Sequence, residues 1–464
     1  MSRLFALRAL PQLKTEFKAL GQQAAVVFAG QLAVVAFGVA DTMIAARHSE
    51  AALAALSVGT AVYISVYVGL MSLLQALLPV WAELRGAGQR HQLGASVRQA
   101  LHLCALASVL GMAALLMPGP LLRALHVPAA LQEQAAQYLA VLAWGLPPAL
   151  LFRLYSTLNQ SLGLPRLVTA LQVGALLPKL GLSAWLALGG AGLPALGAVG
   201  CALATLIVNY ALLAVALGLL RSSRLYAPYA LWARLPAPDW RQLARFLQLG
   251  VPAALAVMVE VSSFALMALF VARLGERAAA SHQVAASVAA VLYMAPLALG
   301  IATSARISYW LGAGQPDRAR QATGLGLGVA LALALISALA LLLTAPAVAR
   351  IYTGDEAVAA AAAALLMGVA AYHLGDAMQA LCLFALRSYH VNVRPMLLYA
   401  AWLWGLGLPA GRALALEGMG PWPAWQSPLA MWVCMAAAQA LTALSLLALL
   451  RHVMRRLPQS APAA

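Results

Sequence analysis

Charge is scarce in this chain. Asp, Glu, Lys and Arg together make up 9% of its 464 residues, against about 25% in soluble domains. Acid is scarcer than base, with 13 Asp and Glu against 29 Lys and Arg. With 64% hydrophobic residues and a mean hydropathy of +0.86, the composition excludes a soluble globular protein and points to a polytopic membrane protein. Cysteine is nearly absent. Cys104, Cys201, Cys382 and Cys434 stand alone inside apolar runs, with no C-x-x-C and no metal-ligand spacing, so packing is their expected role. No H-E-x-x-H, G-x-S-x-G or phosphate-cradling glycine loop occurs, so no enzyme and no organic cofactor are expected. The net charge of +16 raises nucleic acid as a partner, but the basic residues lie in short loops between apolar runs. That distribution is an orientation signal of an inner-membrane protein, and no nucleic-acid partner is expected.

What is present is a series of apolar runs. Twelve are marked out, near 23–46, 53–80, 96–118, 130–153, 166–187, 192–220, 246–272, 279–306, 322–347, 357–386, 394–415 and 428–450. Each approaches or exceeds the ~20 residues that span a bilayer. If the N-terminus is inside, the inner loops and helix ends collect 22 Lys and Arg and the outer ones six (Arg47, Arg123, Arg273, Arg277, Arg350, Arg412). Lys179, inside segment 5, completes the 29. This asymmetry supports twelve spans with both termini cytoplasmic in a bacterial-type inner membrane. The expected organisation is a cytoplasmic N-terminal segment 1–22, an N-lobe 23–220, a cytoplasmic linker 221–245, a C-lobe 246–450 and a cytoplasmic tail 451–464. Residues 5–20 are expected to form an amphipathic helix on the inner surface.

The halves resemble each other. Gly86-Ala87-Gly88-Gln89 after segment 2 recurs as Gly312-Ala313-Gly314-Gln315 after segment 8, an offset of 226 residues. At that offset Glu50 meets Glu276 and Tyr67 meets Tyr293. Six spans per half is an even number, so both halves enter the membrane from the same side. The fold class expected is all-α, with twelve transmembrane helices in two parallel six-helix repeats and a substrate cavity between them.

Three carboxylates fall within spans: Asp41, Glu260 and Asp376. A charge in the hydrocarbon costs at least ~2.5–3.5 kcal/mol and commonly marks an ion or substrate pathway. Glu260 lies ~21 Å along its helix from Phe246, which is mid-membrane, and no basic residue stands within eight positions of it. Tyr372, His373 and Asp376 share one helical face, and carboxylate plus phenol oxygens suit a sodium ion. His373 either relays protons or is a hydrogen-bonded structural histidine. Asp41 sits nearer the outer end of segment 1, six residues from Arg47, so a structural salt bridge competes with a functional role. Lys179 directly follows Pro178. Either it snorkels toward the outer surface or it pairs with Asp41. Phe264, Tyr293 and Tyr372 offer faces to an organic cation, with packing as the alternative. Pro252 and Pro296 are read as kinks or as packing residues.

The motifs carry a family resemblance. Segment 7 reads Gly250-Val251-Pro252 through Glu260 to Ser263-Phe264, and segment 8 opens with Ser281-His282-Gln283-Val284-Ala285 and carries Met294, Pro296 and Gly300. Segment 10 reads Tyr372-His373-Leu374-Gly375-Asp376-Ala377-Met378-Gln379, and segment 1 carries Ala40-Asp41-Thr42-Met43. Over essentially its whole length the chain resembles the MATE family (multidrug and toxic compound extrusion), most closely its NorM-type branch. The resemblance implies a monomeric antiporter in the lipid bilayer that exports cationic amphipathic drugs in exchange for Na+, H+ or both. It implies Glu260, Asp376 and Tyr372 as cation-site residues, with Glu260 and Asp376 as Na+ ligands, and Asp41, Phe264 and Tyr293 as substrate- or proton-binding residues. One stretch departs from the family. Segment 5 reads Leu177-Pro178-Lys179-Leu180-Gly181-Leu182, without the paired asparagines often found there, which puts a fixed role for Asp41 in doubt. A lipid-linked precursor flippase of the same superfamily is the alternative. Such flippases often carry more basic residues in their cavity, and Lys179 is the clear intramembrane cation here.

Overall fold

A computed structural model of the chain describes residues 2–124, 128–190 and 192–456. Most of the expected tail, from residue 457 on, lies outside the described residues. The principal elements are helices. In chain order they are α1 (Ser2–His48), α2 (Glu50–Gly86), α3 (Arg90–Leu116), α4 (Ala129–Ser161), α5 (Pro165–Leu188), α6 (Gly197–Ser222), α7 (Trp240–Ala272), α8 (Glu276–Gly312), α9 (Pro316–Tyr352), α10 (Glu356–Ser388), α11 (393–417) and α12 (Pro428–Arg456). Eleven are long and apolar enough to span by composition alone. The twelfth, α11, alternates α turns with two π-helical stretches at Leu403–Gly407 and Ala413–Glu417. Leu177, Leu343 and Ile351 are exposed, as side chains facing lipid should be.

Several helices run past the expected ends. α4 continues from 153 to Ser161, about 12 Å further, so Arg153 is buried inside it rather than lying in a loop. Residues 5–20, expected as a separate surface helix, are the unbroken start of α1. There Glu16 accepts two hydrogen bonds from Arg306, and Leu20 packs with Leu299, Ala302, Ala330 and Leu381.

Proline places the interruptions. α2 breaks after Gln75, whose carbonyl would have bonded the N–H that Pro79 lacks. α5 breaks at Ala175, because Pro178 cannot donate to Gly174. Pro252 and Pro296, read as kinks or as packing residues, are buried inside helices that run without interruption.

The two Gly-Ala-Gly-Gln turns are the same structure. Gly88 has φ +72° and Gly314 has φ +68°. Gln89 N–H bonds the Leu84 carbonyl at 2.9 Å, and Gln315 N–H bonds the Trp310 carbonyl at 2.9 Å. This left-handed cap satisfies carbonyls that the ending helix leaves open. A second pair recurs one residue out of step: Leu164 N–H to Asn159 at the end of α4, and Val391 N–H to Leu386 at the end of α10. Glycine (Gly163, φ +70°) serves the first and His390 (φ +59°) the second.

Packing groups the chain into two units, Ala29–Ala254, and Met1–Phe28 with Leu255–Ala464. In the first, α4 is the central helix, packed by α2, α3 and α6, with α5 against α6. The 223–239 connection is fastened to α3. Gln99 donates to the Ala237 carbonyl at 2.7 Å and accepts from Asp239 N–H at 3.1 Å, while Arg98 donates to the Ala230 carbonyl. In the second unit α10 is central, packed by α8, α9 and α12, and its residues from Gly368 onward are almost all buried.

Candidate functional site

The position of α10 follows from its glycines. A Cβ on Gly368 would lie 2.9 Å from the Trp432 Cβ, and one on Gly375 would lie 2.9 Å from the backbone at Gln439 and Ala440. Two glycines seven residues apart thus receive two α12 residues seven apart, the close small-residue approach that membrane helices favour. The second contact brings an amide to Asp376. Gln439 Nε2 donates to Asp376 Oδ1 at 2.8 Å. Asp376 is 3% exposed and Tyr372, one turn earlier, 2%.

Glu260, half-buried on α7, lies close enough to Asp376 for the two carboxyls to interact electrostatically. Tyr293 on α8, Tyr372 on α10 and Tyr399 on α11 are within electrostatic reach of both. Neither carboxylate is in an ion pair among the described residues. Beside them the aromatic rings interlock. Phe264 stands edge-on to Tyr372 with centroids 5.8 Å apart, and Trp432 lies 5.8 Å from Tyr372 and 6.1 Å from Phe264. Of the residues expected here, Glu260, Asp376, Tyr372, Phe264 and Tyr293 all gather in one unit.

His373 does not join them. It turns from the Asp376 face toward α9, where its Nε2 lies 2.9 Å from Ser337 Oγ. The hydrogen bond expected of a structural histidine is present, on the side away from Asp376.

The cluster is rich in buried polar atoms without partners. Tyr372 OH, Gln439 Oε1, both polar atoms of Gln379 and Trp432 Nε1 make no hydrogen bond. Buried polar groups are ordinarily satisfied, so these atoms call for a partner such as a water or an ion. Gln439 is the informative case. Its N–H₂ is fixed on Asp376, which leaves its carbonyl oxygen beside the carboxylates. Carboxylate, amide and phenol oxygens suit a hard cation. Among the described residues no three His, Cys, Asp or Glu side chains group as metal ligands.

In the first unit the geometry is the opposite. Lys179 Nζ lies 2.8 Å from both carboxylate oxygens of Asp41, 2.8 Å from Ser183 Oγ and 3.2 Å from the Cys201 carbonyl. Ser183 donates to Asp41 Oδ1 at 2.8 Å. Lys179 is 2% exposed and Asp41 8%. The pairing alternative is therefore the one the fold adopts, and snorkelling is not. α5 and α6 come close enough for it because a Cβ on Gly200 would lie 2.5 Å from the Leu186 backbone.

Sequence reading missed Gln439, Tyr399, Trp432 and Ser183, and gave Gln379 of the segment 10 motif no role of its own. It ranked intramembrane charges, while these are neutral polar groups in apolar runs. The signal available was Gln439, the one amide in the apolar stretch Met435–Leu441.

The sequence profile of the MatE family matches residues 27–185 and 252–411, one match in each half. A curated relative in Aromatoleum aromaticum, "Probable multidrug resistance protein NorM", is 37% identical over 94% of this chain and 93% of its own length. "Multidrug resistance protein PmpM" of Pseudomonas aeruginosa is 32% identical over 89% and 88%. Among solved structures, the eukaryotic MATE transporter AtDTX14 superposes with a TM-score of 0.85 at 18% identity, covering 96% of this chain and 98% of that one. A twelve-helix fold of two repeats with carboxylates in its spans defines a multi-pass membrane transport protein. The chain belongs to the MatE family.

Proposed function

We propose that this chain is a multidrug efflux antiporter that exports cationic amphipathic compounds in exchange for inward Na+ or H+. The observation that carries the reading is the pairing of half-buried Glu260 with buried Asp376, in no ion pair among the described residues and beside unpartnered oxygens at Gln439 and Tyr372. Two carboxylates held together in a low-dielectric site attract a monovalent cation, and the neighbouring oxygens replace its water. The names of the multidrug resistance relatives support the drug class.

Coupling follows from differential affinity. A cation neutralising the pair favours a state that holds an organic cation weakly, and drug release follows by that difference. Phe264, the partly exposed member of the aromatic cluster with Tyr372 and Trp432, offers a ring suited to a delocalised organic cation. Buried Lys179 is already neutralised by Asp41, which weighs against the anionic cargo of a precursor flippase.

The test is ethidium efflux from proteoliposomes, with Na+ and H+ gradients imposed separately, for wild type and Glu260→Gln. Efflux driven by one gradient and lost in the variant is expected. A wild type that moves no ethidium under either gradient would sink the drug-antiport reading and favour the flippase.

A further inference from the structure

The two intramembrane carboxylate sites differ in a way that bears on coupling. The Glu260 and Asp376 site leaves polar atoms without partners, while the Asp41 site is closed by the protein itself. Oδ1 of Asp41 accepts from Lys179 and Ser183, and Oδ2 accepts from Lys179. No side-chain atom of Asp41, Lys179 or Ser183 is among the buried unpartnered atoms of the described residues. The closing groups come from α5 and α6. α5 supplies Lys179 and Ser183. α6 supplies the Cys201 carbonyl to Lys179 and the Cys201 thiol to the Asp41 carbonyl at 3.8 Å. α4 brings Tyr138 within electrostatic reach, its hydroxyl tied to Thr60 of α2 at 3.1 Å. Arg47 and His48 lie further along α1 and are exposed.

A carboxylate held by an ammonium at 2.8 Å on both oxygens has the electrostatics of a carboxylate with its cation bound. We infer that Lys179 is a tethered counter-cation. It fills the acidic site of the Ala29–Ala254 unit, so that this transporter takes its coupling cation at Glu260 and Asp376 alone. Lys179 is then a residue that sets ion stoichiometry. It is not a drug ligand. The inference rests on the antiport reading for its meaning, but its central claim concerns cation binding and is measured without transport.

The experiment uses the full-length chain purified in detergent. Bound cation is counted by equilibrium dialysis with radiolabelled Na+, and protons are counted by release into weakly buffered solution when ethidium is added. Glu260→Gln/Asp376→Asn is expected to lose all cation binding. Asp41→Asn/Lys179→Gln, which keeps hydrogen-bonding groups at both positions, is expected to bind as many cations as wild type. Lys179→Gln alone is expected to gain one cation, and that gain should vanish on adding Asp41→Asn.

Three outcomes would overturn the inference. One is cation binding that depends on Asp41 and survives in Glu260→Gln/Asp376→Asn. Another is a cation lost from the Asp41→Asn/Lys179→Gln variant while it remains monodisperse and binds ethidium. The third is a wild type that binds no cation. A wild type that binds cation as expected yet drives no efflux would sink the antiport reading and leave this inference standing.

Discussion

Removing the Lys179 ammonium while Asp41 remains strands a buried carboxylate, a loss of ~3–5 kcal/mol. Lys179→Met should therefore lower the apparent melting temperature in detergent sharply, and Asp41→Asn/Lys179→Met should recover much of the loss. The double-mutant cycle should return a coupling energy of ~0.5–3 kcal/mol. Strict additivity would show that the 2.8 Å contact contributes nothing. The α10 and α12 polar residues part company in the same way. Gln439→Leu takes from Asp376 its amide donor, worth ~1.5–3 kcal/mol for a charged acceptor, so weaker cation binding and slower efflux are expected. His373→Gln keeps a nitrogen near Ser337 and should leave efflux unchanged. A His373→Gln variant without efflux would return that residue to the site.

At the scale of the helix, glycine decides where the polar residues meet. Gly375 allows α10 and α12 to approach within a Cβ distance of 2.9 Å at Gln439. Gly375→Val puts side-chain atoms against main chain that cannot rotate away, an overpacking cost of ~1–3 kcal/mol. It should also weaken cation binding, because the Gln439 amide leaves Asp376. A variant with unchanged cation affinity would show that the contact does not position the amide. The N-terminal unit has a sharper case. A Cβ on Gly94 would sit 1.7 Å from the Tyr229 carbonyl oxygen. Gly94→Ala must displace the 223–239 connection from α3, and faster cleavage there by a soluble protease is expected.

The repeat is visible across the whole molecule. Gly88 and Gly314 hold the left-handed position of the same turn in different packing units. An L residue in that conformation costs ~1–2 kcal/mol. Gly88→Ala and Gly314→Ala should each destabilise by that amount, and the double variant by their sum, since sites with no shared partner add. A marked departure from the sum would mean that the two turns are energetically coupled. The cation chemistry is not repeated. Asp41 carries its own ammonium, while Asp376 has the Gln439 amide and Glu260 and Asp376 have phenols within electrostatic reach, so one scaffold holds two electrostatic solutions.

The sequence by itself determined the membrane class, the twelve spans and the repeat. These rest on hydrophobic run length, Lys and Arg placement and a recurring turn, all local along the chain. It also pointed to Glu260 and Asp376, because an intramembrane acid is costly wherever the chain puts it. Tertiary structure decided which groups meet the intramembrane acids. Gln439 reaches Asp376 from 63 residues away, and Lys179 reaches Asp41 from 138 away. Both meetings depend on which helix faces which, and on glycines that let backbones touch. It also separated His373 from Asp376, three positions away on the same helix. Neighbours at that spacing diverge when the two sides of a buried helix face different partners, here Ser337 of α9 and Gln439 of α12.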